Sequence, residues 1–282
     1  FVIILFFIRF FGVKNWILLL FLFIYSVGFS QQANFLSRSE LGLNLGQMYY
    51  IGELNPYIPF YKSQNAYGLM YRLNRNARMA YRFNYTYGNL AAYDADSKIP
   101  QNVNRNLHFK TALHEVVGGL EFYFKSYQLG NPRYPETFYF LAQIGMFYMN
   151  PKTELNGEWI ALQPLGTEGQ TGKKRYNNYQ LCVPLGMGYK FSIGKIMAVN
   201  LDLSIRKTFT DYIDDVGSNS YAGQSDFINH DEPSLSYSLS NRSLDGSRTE
   251  RRGNEATKDW YVYAGASVTI KLGNGNICWD FK

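Results

Sequence analysis

The chain has 282 residues, of which 46% are hydrophobic, yet its mean hydropathy is only −0.25. That balance excludes a bundle of membrane-spanning helices. The formal net charge of +6 comes from scattered cations and not from a stripe of Lys and Arg, which argues against nucleic-acid binding. Two cysteines are too few for a disulfide scaffold or a cysteine-based metal site.

The aromatic content is the unusual feature of the composition. The chain contains 24 Tyr and 21 Phe. Side chains with an apolar ring and a polar tip are enriched where a membrane meets water. An aromatic-rich β-sandwich or lectin accounts for the composition equally well, so the order of the residues has to decide.

Residues 1–30 are predicted to be a cleaved signal peptide. Lys14 supplies the positive charge, residues 16–27 the apolar core, and residues 28–30 the small-x-small cleavage pattern, so the mature chain is expected to start near Gln31. A retained helical anchor is the alternative, although residues 16–29 are short for a membrane span. Residues 31–282 are then predicted to form one β-barrel with long external loops and a short periplasmic C-terminal tail.

Apolar and polar residues alternate along most of the remaining chain. In one segment Tyr81 and Phe83 alternate with Arg82 and Asn84. A β-strand places two such sets on opposite faces. The predicted strands are 40–49, 66–73, 77–87, 107–124, 137–149, 179–191, 196–207 and 259–272.

One predicted strand, 107–124, changes phase along its length. Phe109 and Leu113 belong to one register, whereas Leu120 belongs to the other. An extra residue in one strand would produce such a shift. A β-bulge is therefore expected at His114 and Glu115.

Strand length and connection length distinguish a barrel from a sandwich. Several predicted strands reach ~10 residues, as a tilted strand crossing hydrocarbon requires, whereas sandwich strands are nearer ~5 or 6. Short connections alternate with long ones at 50–65, 89–106, 150–176 and 208–258, as periplasmic turns alternate with external loops. The sequence predicts an all-β fold: an eight-stranded antiparallel transmembrane barrel integral to the outer membrane and contacting its lipids, with both termini periplasmic.

An eight-stranded barrel is wide enough only for its own side chains. Charged side chains that face inward must therefore pair, because an unpaired buried charge is very costly. The result should be a plug and not a conducting channel. The predicted interior charge network consists of Arg72, Arg78, Arg82, Glu121, Asp202 and Arg206.

No catalytic, cofactor or metal site and no small-molecule substrate is predicted. The only histidines are His108, His114 and His230. Their spacing along the chain does not favour a metal site or an acid/base site. A barrel hydrolase is the alternative, and it would need a Ser/His or Asp/His pair at the outer rim. The carboxylates at 211, 214 and 215 could bind calcium, but capping of the loop is the simpler interpretation.

Several motifs occur in order along most of the mature chain, except in the segment 216–257. The motifs are IGELNP at 51–56, NRNLHF at 104–109, His114-Glu115 followed by GLEFYF at 119–124, KTFTDY at 207–212, DWYVYAG at 259–265, and the tail that carries Cys278. In their order and spacing these motifs resemble the PorG family of outer-membrane barrels of the type IX secretion system.

This resemblance implies a non-enzymatic part of a protein secretion machine, also linked to gliding motility. The implied partners are the periplasmic ring proteins PorK and PorN. Contact would then be made by residues facing the periplasm, among which Arg and aromatic side chains are favoured as anchors. The predicted partner-binding residues are Arg75, Arg133, Lys195, Trp279 and Phe281. The alternatives are that these are ordinary solvated turns, and that the protein is a simple adhesin or porin-like barrel.

Overall fold

The structure, a computed structural model, describes residues 38–248 and 251–272. The predicted signal peptide, Trp279 and Phe281 lie outside these residues. No helix in the described part of the chain has the length and apolar character needed to cross a membrane.

Eight long strands close into one barrel. Each strand pairs antiparallel with both neighbours; β1 pairs with β2 and β9, and the pairing of β4 with β5 closes the sheet. A short strand, β6, pairs only with the far end of β5 and does not belong to the barrel wall. The predicted fold class is therefore confirmed. The strands are β1 (Arg38–Ile51), β2 (Gln64–Asn74), β3 (Met79–Tyr93), β4 (His108–Tyr123), β5 (Glu136–Leu155), β6 (Glu158–Ala161), β7 (Tyr179–Ile193), β8 (Met197–Thr208) and β9 (Trp260–Leu272).

The connections differ in length at the two ends of the barrel. One end, the short-turn end, carries the connections 75–78, 124–135 and 194–196, together with the start of β1 and the end of β9. The other, the long-loop end, carries 52–63, 94–107, 156–178 and 209–259. The predicted alternation of short and long connections is confirmed.

Two short helices lie in the long connections. They are α1 (Pro100–Arg105) and α2 (Pro233–Ser240), and each begins with a proline, which suits a first helical turn. The connection 209–259 leaves and returns to the barrel at adjacent points, because the Asp259 N–H donates to the Thr210 carbonyl at 3.0 Å.

The bulge expected at His114 and Glu115 is wrong. Strand β4 keeps one continuous register with β3 and with β5 along its whole length. The phase change has another cause: the lumen itself changes character. Phe109 and Leu113 point inward into an apolar part of the lumen, whereas Leu120 points outward and its neighbour Glu121 inward.

Side chains fill the lumen in layers. Near the long-loop end the layer is apolar and includes Met48, Phe109 and Phe147. Near the short-turn end Tyr123 and Tyr139 pack with small alanines. A charged layer, described below, lies between them.

The outward face carries an apolar belt between two groups of aromatic side chains. Phe138 contacts Tyr189 near the short-turn end, and Tyr148 contacts Tyr179 near the long-loop end. Phe138 and Tyr148 are ten residues apart on one strand, or roughly 34 Å, which at a tilt of ~40° spans roughly 26 Å. This matches the ~25 Å apolar band of outer-membrane barrels. Members of the belt include Leu43, Leu69, Phe83, Val116, Ile144, Leu185, Leu203 and Val268.

The belt predicts a selective effect of charge. Ile144, on the belt, and Ile228, on the connection 209–259, are 66% and 71% exposed. If the belt faces lipid, Ile144→Arg should destabilise the inserted barrel by about 2–4 kcal/mol, and Ile228→Arg should have little effect. Urea unfolding in lipid vesicles measures both changes; equal small effects would contradict a lipid-facing belt.

Candidate functional site

Arg72 lies at the centre of the charged layer inside the barrel. Its guanidinium donates to Glu121 through Nε at 2.8 Å and Nη2 at 2.9 Å, and to Glu40 through Nη1 at 2.7 Å. All three side chains are fully buried. These charge-assisted hydrogen bonds offset the desolvation of the ions and link β1, β2 and β4 across the lumen.

Arg82 extends the network towards β8. It donates to Glu121 at 3.0 Å and holds Asp202 with two hydrogen bonds of 2.8 and 3.0 Å. The paired geometry orients the Asp202 carboxylate, which also accepts a hydrogen bond from the Tyr139 hydroxyl. Ionic contacts across the lumen thus join β3 and β4 to β8.

Lys190 enters the same layer from β7. Its Nζ lies 3.6 Å from a Glu121 oxygen and over the rings of Tyr123 and Tyr127, at 3.8 and 4.3 Å from their centroids. Within the described residues this ammonium has no hydrogen-bond acceptor. Ionic and cation–π attraction therefore hold it.

A second ion pair lies closer to the long-loop end. Arg206 donates to both carboxylate oxygens of Glu115, at 3.1 and 3.3 Å, and the Tyr261 hydroxyl donates to the same carboxylate at 2.6 Å. Among the described side chains the basic and acidic groups inside the barrel are equal in number: the basic residues are Arg72, Arg82, Lys190 and Arg206, and the acidic residues are Glu40, Glu115, Glu121 and Asp202.

The structure brings together most of the residues of the predicted interior network. The prediction that Arg78 belongs to this network was wrong. Arg78 precedes β3, is exposed in the β2–β3 turn, and donates to the carbonyl oxygens of Tyr123 and Phe124. Arg78 lies in the turn before the chain enters β3, so the alternation of that strand does not yet apply. The residues that the structure places in the interior are Arg72, Arg82, Glu121, Asp202 and Arg206.

Sequence reasoning missed three charged partners inside the barrel. Glu40 and Lys190 belong to the polar faces of their predicted strands, so the same alternation rule could have found them. Glu115 was hidden by the bulge assigned to it. With an unbroken β4, positions 115 and 121 fall on one face together.

The cations predicted to bind a partner lie together at the short-turn end. Arg75, Arg133 and Lys195 are exposed, each on a different turn. The connection 124–135 lies against the other two turns: the Tyr127 N–H donates to the Ala77 carbonyl at 2.9 Å, and the Tyr127 hydroxyl lies 3.2 Å from Oγ of Ser192, which is near the end of β7 and just before the turn 194–196.

Exposed charge at this end is strongly unequal. Within the described residues of these turns and their flanks, Glu136 is the one exposed carboxylate, and it accepts a hydrogen bond from the Tyr189 hydroxyl. We call the exposed cations the basic turn surface. It consists of Arg75, Arg78, Lys125, Arg133 and Lys195.

At the long-loop end the carboxyl groups of Asp214 and Asp259 both lie 2.6 Å from the Tyr50 hydroxyl. Burial, followed by the charges of neighbouring carboxylates, raises the pKa of Asp214 and of Asp259 well above the usual range. Burial and the nearby Glu53 charge raise the pKa of Asp211 to about 7. These groups strongly resist ionising together.

The other carboxylates and the histidines of this end have ordinary partners. Asp215 accepts a hydrogen bond from Tyr176 at 2.7 Å and lies 3.9 Å from Arg252. His230 Nδ1 lies 2.7 Å from the Leu165 carbonyl oxygen. His108 contacts Thr153, and His114 contacts Tyr85 on the outer face of the barrel.

A model of the family described as a domain of unknown function, DUF6089, matches residues 14–231. The chain belongs to the DUF6089 family. No curated protein matches this DUF6089 barrel.

Solved barrels that are similar in structure to this DUF6089 member include the following three. They are Ail, the attachment invasion locus protein of Yersinia pestis (8% identity, TM-score 0.42, covering 84% of this chain and 100% of Ail), Neisserial surface protein A (9%, 0.42, 83% and 97%), and the N-terminal β-barrel domain of Pseudomonas aeruginosa OprF (10%, 0.35, 84% and 100%). Because these identities are low, the evidence for the fold of the DUF6089 barrel is its own strand pairing.

The interior network predicts a compensation between two substitutions. Arg82→Met leaves Asp202 buried without its paired cation and should cost about 3–5 kcal/mol. Adding Asp202→Leu removes the uncompensated charge, so the double variant should regain at least half of the loss. Reversible urea unfolding in lipid measures both. A double variant no more stable than Arg82→Met would contradict the ionic role.

Proposed function

We propose that this chain is a non-enzymatic barrel of the outer membrane that binds a periplasmic protein through its short-turn end. The observation that carries this proposal is the basic turn surface: exposed cations lie on three adjacent turns, and within the described residues of these turns and their flanks the one exposed carboxylate is Glu136. The apolar belt and its aromatic borders support insertion into the outer membrane, with lipid around the barrel wall.

The orientation follows from the connections. Outer-membrane barrels turn their short connections to the periplasm and their long loops outward. Applied here, the basic turn surface, the start of β1 and the end of β9 face the periplasm. The long-loop end, with α1, α2 and the acidic groups, then faces the exterior.

The basic turn surface suits a partner that presents acidic side chains. Complementary charge speeds encounter and selects among partners. Hydrogen bonds between the turns, such as Tyr127 to Ala77, hold the cations in place before binding and so reduce the entropy lost on association.

The resemblance to the PorG family supports a more specific proposal. The partner would be the periplasmic ring formed by PorK and PorN, and the barrel would anchor that ring to the outer membrane as part of type IX protein secretion. Trp279 and Phe281 follow β9, which ends at the short-turn end, and they would add aromatic anchors.

Charge reversal at the basic turn surface tests this role. Arg133→Glu with Lys195→Glu should lower recovery of periplasmic ring proteins from gently solubilised envelopes by about 10-fold or more, because two anchoring cations become repulsive. Quantitative mass spectrometry of the purified complex gives the readout.

The matched control reverses two exposed lysines at the opposite end, Lys98→Glu with Lys174→Glu. It makes the same change in net charge and should leave recovery unchanged. Equal losses in both variants, or none in either with the barrel normally inserted, would contradict docking through the short-turn end.

A further inference from the structure

Three carboxylates converge where β1, β8 and β9 reach the long-loop end. One oxygen each of Glu53, Asp211 and Asp259 lies within 4.8 Å of the others. Asp211 is 2% exposed and Asp259 fully buried. Carboxylates held this closely repel each other unless a cation or shared protons compensate them.

The carboxylate of Asp211 provides an independent observation that points to a ligand. Both of its carboxylate oxygens are buried, and within the described residues neither has a hydrogen-bond partner. Buried polar atoms in folded proteins are nearly always satisfied. The nearest cation is Lys258, whose Nζ lies 3.5 Å from Oδ2 and whose side chain is 46% exposed.

The arginines of this end are engaged elsewhere. Arg105 holds Asp94 with two hydrogen bonds of 2.7 Å, and it reaches Glu53 only through the backbone carbonyl. Arg252 pairs with Glu168. Meanwhile Asp214 adds a further carboxyl group beside Asp259. The carboxyl groups of the cluster therefore outnumber the nearby cation, Lys258, and they can ionise together only if a further cation joins them.

Other contacts hold the cluster carboxylates in fixed orientations. The Ile213 N–H donates to Asp259 Oδ2 at 2.9 Å, and the Thr257 hydroxyl donates to Glu53 Oε1 at 3.2 Å. Gly52 lies against Tyr50 and Asp259, and a Cβ at this position would overlap the Tyr50 hydroxyl and Asp259 Oδ1. Such supporting contacts are typical of metal sites.

We propose that Glu53, Asp211 and Asp259 bind a divalent cation and that this cation is Ca²⁺. A site of carboxylate oxygens alone suits a hard cation, whereas Zn²⁺ favours nitrogen and sulfur ligands. Oxygens within 4.8 Å of one another can share one ion, and the longer bonds and irregular geometry that Ca²⁺ accepts suit ligands from three separate segments better than the near-ideal octahedron that Mg²⁺ demands. Glu53 is partly exposed and gives the ion a route from solvent.

The bound ion joins parts of the chain that are distant in sequence. Glu53 follows β1, Asp211 opens the connection 209–259, and Asp259 closes it. Ca²⁺ therefore fixes both ends of the longest external loop to the rim of the barrel. Removing the ion should loosen that loop while leaving the strands of the barrel paired.

Binding can be tested on the full chain purified in detergent. CaCl2 at ~100 times its Kd should raise the melting temperature by about 5 °C or more relative to EDTA. Tb³⁺, which replaces Ca²⁺ at oxygen sites, should show tyrosine-sensitised luminescence that CaCl2 displaces and that MgCl2 at equal concentration displaces poorly.

Asp211→Asn is the decisive variant, and Glu53→Gln is a second. Both should lose the Ca²⁺-dependent shift and the Tb³⁺ signal, and in EDTA they should melt at or above the wild-type temperature because repulsion is removed. Asp231→Asn, which changes a side chain that is 92% exposed, is the matched control and should behave as wild type. Lack of a shift in the wild-type protein, or a full shift in Asp211→Asn, would overturn the proposal.

Discussion

A barrel of eight strands encloses a space that only side chains can fill, and every charge placed there must find a partner there. That constraint organises the molecule. Arg72 and Arg82 share Glu121, and through Glu40 and Asp202 they reach strands on both sides of the barrel. Because each cation touches anions from other strands, the network favours this closure and this register over any shifted pairing. A shift by one residue would turn these charges out into lipid.

The two ends of the barrel differ in charge as well as in length. Cations gather at the short-turn end, and buried carboxylates at the long-loop end. In the proposed orientation this polarity is suited to two tasks, protein binding on the periplasmic side and cation binding on the external side. The paired charges of the interior lie between the two ends, so the charge of each end is independent of the charges inside the barrel.

Period-two alternation was enough to predict the eight strands and most inward charges, because lipid outside and side chains inside make alternation nearly strict. Prediction from alternation failed where strict alternation does not hold. Arg78 sits one residue before β3, and the apparent phase change in β4 reflects an apolar upper lumen around Phe109. The acidic cluster was beyond reach for another reason: Glu53, Asp211 and Asp259 meet only through the closure of the barrel, and no local spacing signals it.

The long connection between β8 and β9 begins and ends at the same point of the rim, where the Asp259 amide meets the Thr210 carbonyl. Its base is therefore a closed neck, and the pairing of β8 with β9 does not depend on what the neck encloses. Because the entropy of closing such a segment grows only slowly with its length, evolution is free to lengthen, shorten or replace its contents. The surface that this connection presents at the long-loop end can thus diverge rapidly while the barrel wall that carries it stays the same.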